Sequence, residues 1–294
     1  MKILILGAKG MLGQDLAKVF FDKKPILWDI DEIDITNKKQ VDGKINKLKP
    51  GIIINAAAYT DVDGAEVDRE NALKINAEAV GYLVETCQKI KAILVHYSTD
   101  YVFDGQKENG YTENDQPQNP VNFYGLSKLL GERKLLGQVS PAIRNQFYLI
   151  RTSWLFGSSG TDSKEGKSFI SQILRVSLEK SEIEVVNDQF GKPTYTLDLA
   201  QATKELIEKK YPFGIYHLIN EGAASRYQVA RQIIQLAGLK TEVIPCPSEQ
   251  FPRPARRPKY GILVNTKFPP LRNWQEALRD YIIANHTNFN TNHY

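Results

Sequence analysis

The chain has 294 residues, 42% hydrophobic and 24% charged, an ordinary globular balance with room for one large domain or two interlocked ones. Its net charge of +4 is small and its lysines are spread out, which argues against nucleic acid as a partner. Two cysteines, Cys87 and Cys246, stand in no metal or redox spacing and read as inert thiols of a reducing compartment. The aliphatic run before Gly7 is too short for a signal peptide, and no later run reaches membrane-spanning length. A cytoplasmic protein with no membrane partner is expected.

Residues Lys2 to Leu6 read as a strand buried on both faces, as in parallel sheets. Gly7-Ala8-Lys9-Gly10-Met11-Leu12-Gly13 follows, and Gln14 to Phe21 carry helical periodicity. Glycines spaced G-x-x-G-x-x-G allow a tight turn and let backbone approach a pyrophosphate at the helix N-terminus. Strand, glycines and helix in that order predict a dinucleotide site, with Gly7, Lys9, Gly10, Met11, Leu12 and Gly13 around the phosphates. A second strand, Pro25 to Trp28, ends in Asp29, near the spacing at which a carboxylate accepts hydrogen bonds from the adenosine ribose. That favours NADH, because a 2′-phosphate would be repelled, although Lys9 could offset the charge. Asp34 and Ile35 would flank the adenine.

Lys38 to Lys49 reads as a solvated helix, and Gly51 to Ile54 as the next buried strand. Asn55-Ala56-Ala57-Ala58-Tyr59-Thr60 follows, and its small side chains leave room for the nicotinamide half of a cofactor, although core packing would also use them. Asp61, Asp63, Glu66 and Asp68 open a helix, where carboxylates favour the positive end of the dipole; their spacing matches no common metal motif. After a helix from Asn71 to Lys89, the strand Ala92 to Tyr97 delivers Ser98-Thr99-Asp100 to the sheet edge where ligands bind. A loop from Asp104 to Asn122 then leads to Tyr124 and Lys128, four apart and so on one helix face. An ammonium there would lower the pKa of the phenol and ready it as a proton donor, with the Thr99 hydroxyl on the same carbonyl.

Phe147 to Arg151 reads as a strand, and Trp154 beyond it as a flat wall for a sugar or base, or as core. Ser168 to Leu178, Thr196 to Lys209 and Ser225 to Ala237 are helical, and Ile215 to Ile219 looks like a returning strand. The loop Val185 to Thr194, with Asn187 and Gln189, could hold a nucleotide. Arg253, Arg256, Arg257 and Lys259 form the one dense basic cluster, suited to a diphosphate, although a solvated turn would look the same. The tail from Asn285 to Tyr294 reads as polar and mobile.

Gly7 to Gly13, Asn55 to Ala58, Ser98-Thr99-Asp100 and Tyr124/Lys128 together resemble the extended short-chain dehydrogenase/reductase superfamily. Within it, His96 to Phe103, Arg151 to Trp154, Asn187 to Thr194 and Arg253 to Pro258 resemble the dTDP-4-dehydrorhamnose reductase family. The resemblance implies an α/β fold: a doubly wound parallel (Rossmann) sheet, with a second, smaller α/β substrate domain. Residues 1–152 plus about 194–238 would bind NAD(P), and about 153–193 plus 239–294 the nucleotide sugar. The implied reaction reduces the C4 ketone of dTDP-4-dehydro-L-rhamnose with NADH or NADPH. Thr99, Tyr124 and Lys128 would be catalytic, while Thr99, Asp100, Trp154, Asn187, Gln189, Arg253, Arg256 and Arg257 would hold the substrate. A monomer or homodimer is implied, and Mg2+ only through Asp15. Tyr260-Gly261 stands where the resemblance leads one to expect Asn-Ser. A 4,6-dehydratase would need a second acid after Asp100, where Tyr101 stands. An epimerase that retains its cofactor and a regulatory subunit like that of methionine adenosyltransferase remain as alternatives.

Overall fold

The computed structural model describes residues 1–137, 146–158 and 168–285, so the tail expected after Asn285 lies outside them. Six parallel strands form the main sheet: β1 (Ile3–Leu6), β2 (Ile26–Trp28), β3 (Ile52–Asn55), β4 (Ile93–Thr99), β5 (Phe147–Thr152) and β6 (Gly214–His217). Their order is β6-β5-β4-β3-β1-β2. In a strand alternate residues face opposite sides, so an unbroken aliphatic run demands a cover on both. Ile5 and Ile54 face α1 (Met11–Val19) and α5 (Thr196–Glu208) through Leu16, Leu199 and Leu206. Leu4, Leu6 and Ile53 face α2 (Ala79–Ile90) and α3 (Phe123–Gly137) through Val80, Leu83, Val84 and Leu135. The doubly wound parallel sheet is therefore as expected.

The chain leaves β1 to one side for β2 and returns on the other as β3. A crevice opens beyond the carboxyl ends of β1 and β3, the place where open α/β sheets bind ligands. The helix expected over 71–89 is interrupted by a π-helical turn, Lys74–Glu78. That wider turn carries Asn76, which donates to Ser127 Oγ and to the Tyr59 carbonyl, both at 3.0 Å, and ties this segment to α3.

A third apolar cluster gathers α4 (Phe169–Glu179), α6 (Arg226–Leu236) and α7 (Trp274–Asn285) through Ile173, Leu174, Val229, Ile233, Leu278 and Tyr281. Small sheets accompany it: Glu182–Val186 with Glu242–Cys246, and Phe190–Gly191 between Ala224–Ser225 and Tyr260–Gly261. The apolar face of α6, within the segment of about 194–238 expected to belong to the NAD(P)-binding domain, packs in this third cluster through Val229, Ile233 and Ile234. Among the described residues no helix is long and apolar enough to cross a membrane.

Candidate active site

At the crevice, backbone meets backbone. Gly7 has φ +74°, and a Cβ there would lie 2.6 Å from the Ala57 nitrogen; a Cβ at Gly13 would overlap the Gly7 carbonyl. Only glycine permits this contact between the β1 loop, the start of α1 and the turn after β3. A cavity of about 740 Å³ results, within the range of cofactor sites. Gly7, Lys9, Gly10, Met11, Leu12 and Gly13 line one end. Asp29, Asp34 and Ile35 line the side beyond β2, and Ala56, Ala57, Ala58 and Thr60 the side beyond β3. Tyr59 is not on the cavity wall; its backbone is held by Asn76, whose Oδ1 accepts from Tyr59 N at 3.0 Å.

Asp29 has a structural duty the sequence did not reveal. Its two carboxylate oxygens accept the backbone N–H of Lys9 and of Ile30, each at 2.8 Å, and so brace the glycine loop. The Lys9 ammonium pairs with Asp31 on the same rim. Strand-end residues that sequence reasoning did not assign to the site, among them Trp28, Tyr97 and Thr152, also line the cavity. Their place at the carboxyl ends of β2, β4 and β5 was the available signal. The glycine cradle, the volume and the acidic rim fit a dinucleotide.

Deeper in, Thr99 ends β4, and Tyr124 and Lys128 reach the same cavity from the first turns of α3. Lys128 is buried and donates to the Tyr97 carbonyl at 2.7 Å; burial brings its pKa down to about 8. The expected depression of Tyr124 by Lys128 is not found. Burial, then the nearby Asp100 charge, push the phenol above its ordinary value, and only a hydrogen bond with Thr99 opposes them. The ammonium is instead spent on the Tyr97 carbonyl.

Asp100, expected against the substrate, lies behind Thr99 and off the cavity wall. The chain turns into a 3-10 turn, Asp100–Val102, that sends the carboxyl inward until it is 3% exposed. Thr99 Oγ1 donates to its Oδ1 at 3.0 Å. Its Oδ2 has no hydrogen-bond partner among the described residues and lies so close to Gly261 that a Cβ there would overlap it. Burial pushes this acid up to about 7. The folded state thus holds a proton that the unfolded chain releases near pH 4. Stability is full below pH 4, falls by up to about 4 kcal/mol as pH rises to 7, and is level above. Asp100→Asn should remove this slope, so its melting temperature relative to wild type should rise between pH 5 and pH 8. Parallel melting curves for the two proteins would refute the assignment.

Past the end of β5, Trp154 takes a left-handed backbone conformation, φ +43°, which turns its ring onto Gly191; a Cβ on that glycine would overlap the indole. Trp154 thereby joins the wall of the main cavity. Arg257 is not free for a diphosphate, because Asp63 grips its guanidinium with both oxygens at 2.9 Å. That pair pins the arginine loop to the segment after β3. Arg253 Nη1 lies 3.6 Å from the same carboxylate, and Arg256 is exposed, its carbonyl accepting Asn122 Nδ2 at 2.8 Å. Asn187 accepts the Ser225 hydroxyl at 2.6 Å and so supports the start of α6, while Gln189 is half-buried beside it. Neither Asn187, Gln189 nor the arginine loop lines the main cavity. Asp15, the carboxylate suggested for Mg2+, is buried and accepts the Thr196 hydroxyl at 2.6 Å and the Lys18 ammonium at 3.1 Å.

Comparison with known proteins places this arrangement. The family model described as the RmlD substrate binding domain matches residues 1–286. The dTDP-4-dehydrorhamnose reductase of Mycolicibacterium smegmatis is 37% identical over 292 residues, covering 96% of this chain and 85% of that protein. The crystal structure of a dTDP-4-dehydrorhamnose reductase from Clostridium acetobutylicum superposes with a TM-score of 0.88 at 38% identity, over 97% of this chain and 99% of that one. That of the Bacillus anthracis enzyme, in complex with NADP, gives 0.87 at 36% identity, over 96% and 99%. From the glycine loop after β1 to the last helix, the chain belongs to the dTDP-4-dehydrorhamnose reductase family.

Proposed function

We propose that the protein reduces the C4 ketone of dTDP-4-dehydro-β-L-rhamnose to the alcohol of dTDP-β-L-rhamnose, with NAD(P)H as the reductant. The observation that carries the reading is the meeting of Thr99, Tyr124 and Lys128 on the wall of one glycine-cradled cavity. The names of its relatives support the substrate, and the NADP complex of the Bacillus anthracis protein supports the cofactor.

Gly7, Gly10 and Gly13 would hold the pyrophosphate against the start of α1, and Ala56, Ala57 and Ala58 would leave space for the nicotinamide. Bound there, the cofactor supplies the hydride. The Tyr124 phenol, raised above its ordinary value, is fully protonated at neutral pH, the form that reduction of a ketone requires. It gives its proton to the developing alkoxide, while the Thr99 hydroxyl fixes the carbonyl oxygen. Lys128, a buried cation one turn further along α3 and held by the Tyr97 carbonyl, would bind the nicotinamide ribose and so fix the cofactor beside Tyr124. Trp154 and Leu155 also line this cavity and would lie along the bound ligand. Residues 153–158 and 168–193 and the arginine loop would present the nucleotide sugar.

The test is NADH or NADPH oxidation at 340 nm with enzymatically generated dTDP-4-dehydro-L-rhamnose. Oxidation with dTDP-L-rhamnose as the product is expected. No turnover by a folded protein that binds cofactor would overturn the reading. A ratio of kcat/KM for the two cofactors near one is expected, because Asp29 is committed to the Lys9 and Ile30 amides while Lys9 sits on the same rim.

A further inference from the structure

Arg226 has no role in the site described so far. It is the first residue of α6, and a capping box holds it there: Ser225 Oγ accepts Gln228 N at 3.2 Å while Ser225 N donates to Gln228 Oε1 at 2.8 Å. From this fixed start the side chain reaches Trp154, with its guanidinium carbon 3.7 Å from the ring centre and 5.0 Å from that of Phe169. Stacked guanidinium faces leave the N–H edges free to bind in the plane. None of those N–H groups has a hydrogen-bond or ion-pair partner among the described residues. Among the described residues, the other arginines that are not exposed are paired: Arg151 with Glu132, Arg257 with Asp63, Arg272 with Asp198.

A half-buried guanidinium without an acceptor is costly, and holding it against two aromatic rings adds an ordering cost. Its position suits a ligand. Arg226 lines a hollow of about 90 Å³ that shares Met11, Trp154 and Leu155 with the main cavity. Asp100, Tyr101, Arg253 and Arg257 lie within its electrostatic reach. Of the acids nearby, Asp63 is neutralised by Arg257, and Asp100 is bonded to Thr99 and sealed behind Gly261. The region therefore presents uncompensated positive charge beside an aromatic wall.

We propose that Arg226 is a substrate-recognition residue whose guanidinium, levelled against Trp154, binds the diphosphate of the nucleotide sugar. The inference rests on the reading of the substrate given above and assigns to Arg226 the contact expected of the Arg253–Lys259 cluster. It also gives the Trp154 ring a second purpose, as the platform that orients the guanidinium.

Binding of dTDP, thymidine and inorganic pyrophosphate would be titrated by calorimetry on wild type, Arg226→Met and Arg226→Lys, each shown to melt cooperatively and to bind NADPH. Met keeps an apolar chain on Trp154 without the charge. For it, dTDP affinity should drop about 10- to 100-fold, the loss of charge-assisted hydrogen bonds, with thymidine unchanged and pyrophosphate lost in parallel with dTDP. Lys should recover part of the dTDP affinity. Affinity for dTDP within twofold of wild type in Arg226→Met, or equal losses for thymidine and dTDP, would overturn the proposal and leave only a packing role. If wild type binds neither dTDP nor any other nucleoside diphosphate, the substrate reading falls and takes this inference with it.

Discussion

Replacing Tyr124 by Phe should lower kcat by about 10²- to 10⁴-fold, the usual loss when a positioned general acid is removed. The ring remains to pack edge-on against Tyr101, 5.7 Å between centroids, so the fold and NADPH affinity should be unchanged. The loss should fall on kcat rather than on KM, since proton transfer is made only in the transition state. Steady-state kinetics beside a cofactor titration separates the two. A variant that retains more than a tenth of wild-type kcat would remove Tyr124 from the role of acid. Because the phenol is raised rather than lowered, wild-type kcat should also show no loss of the acid form up to pH 8.

The second large effect lies away from the chemistry. Glu132 and Arg151 are each 1% exposed and meet through two hydrogen bonds, Nε to Oε1 at 3.0 Å and Nη2 to Oε2 at 2.8 Å. Arg151 also packs its guanidinium 5.1 Å from the Phe103 ring centre and donates Nη1 to His217 Nε2 at 3.4 Å. His217, pushed down to about 4 by burial and by Arg151, is neutral and free to accept at Nε2 while Nδ1 donates to the Val264 carbonyl at 3.1 Å. Tyr124, Lys128 and Glu132 fall at i, i+4 and i+8 of α3, so this pair anchors to β5 the stripe that carries the proposed acid. Glu132→Leu strands a buried cation and should cost about 3–5 kcal/mol in urea unfolding, a large share of a typical domain's stability. Adding Arg151→Leu should recover part of it, because the orphaned charge is then gone. A cost below about 1 kcal/mol for Glu132→Leu would show the pair to be dispensable.

The parts of the site that the sequence made legible are those held within one element and its neighbours. Gly7 to Gly13 announce themselves because strand, turn and helix follow without a gap. Tyr124 and Lys128 declare their common face by a spacing of four. The rest depends on partners that meet only in the folded chain. Nothing in the basic cluster shows that Arg257 is paired with Asp63, 194 residues away, and the pairing changes its role. Nor does the Ser-Thr-Asp run tell that Asp100 turns inward against Gly261, where burial rather than sequence sets its charge. Arg226, a lone arginine at a helix start, acquires meaning only when the fold lays it on Trp154. Asn71 to Lys89 reads as a helix, but its π turn at Lys74–Glu78 carries Asn76, whose partners Tyr59 and Ser127 lie 17 and 51 residues away and meet it only in the folded chain.

The left-handed backbone of Trp154 has a consequence for how this chain can drift under mutation. A bulky residue at φ +43° costs on the order of 1–2 kcal/mol that a glycine would not. Selection for stability alone would therefore erode this position. Since the same strain turns the indole into the cavity wall, a chain that keeps a tryptophan there carries a record of use. The position marks a trade-off between robustness and activity, and consensus stabilisation of this scaffold should leave it untouched.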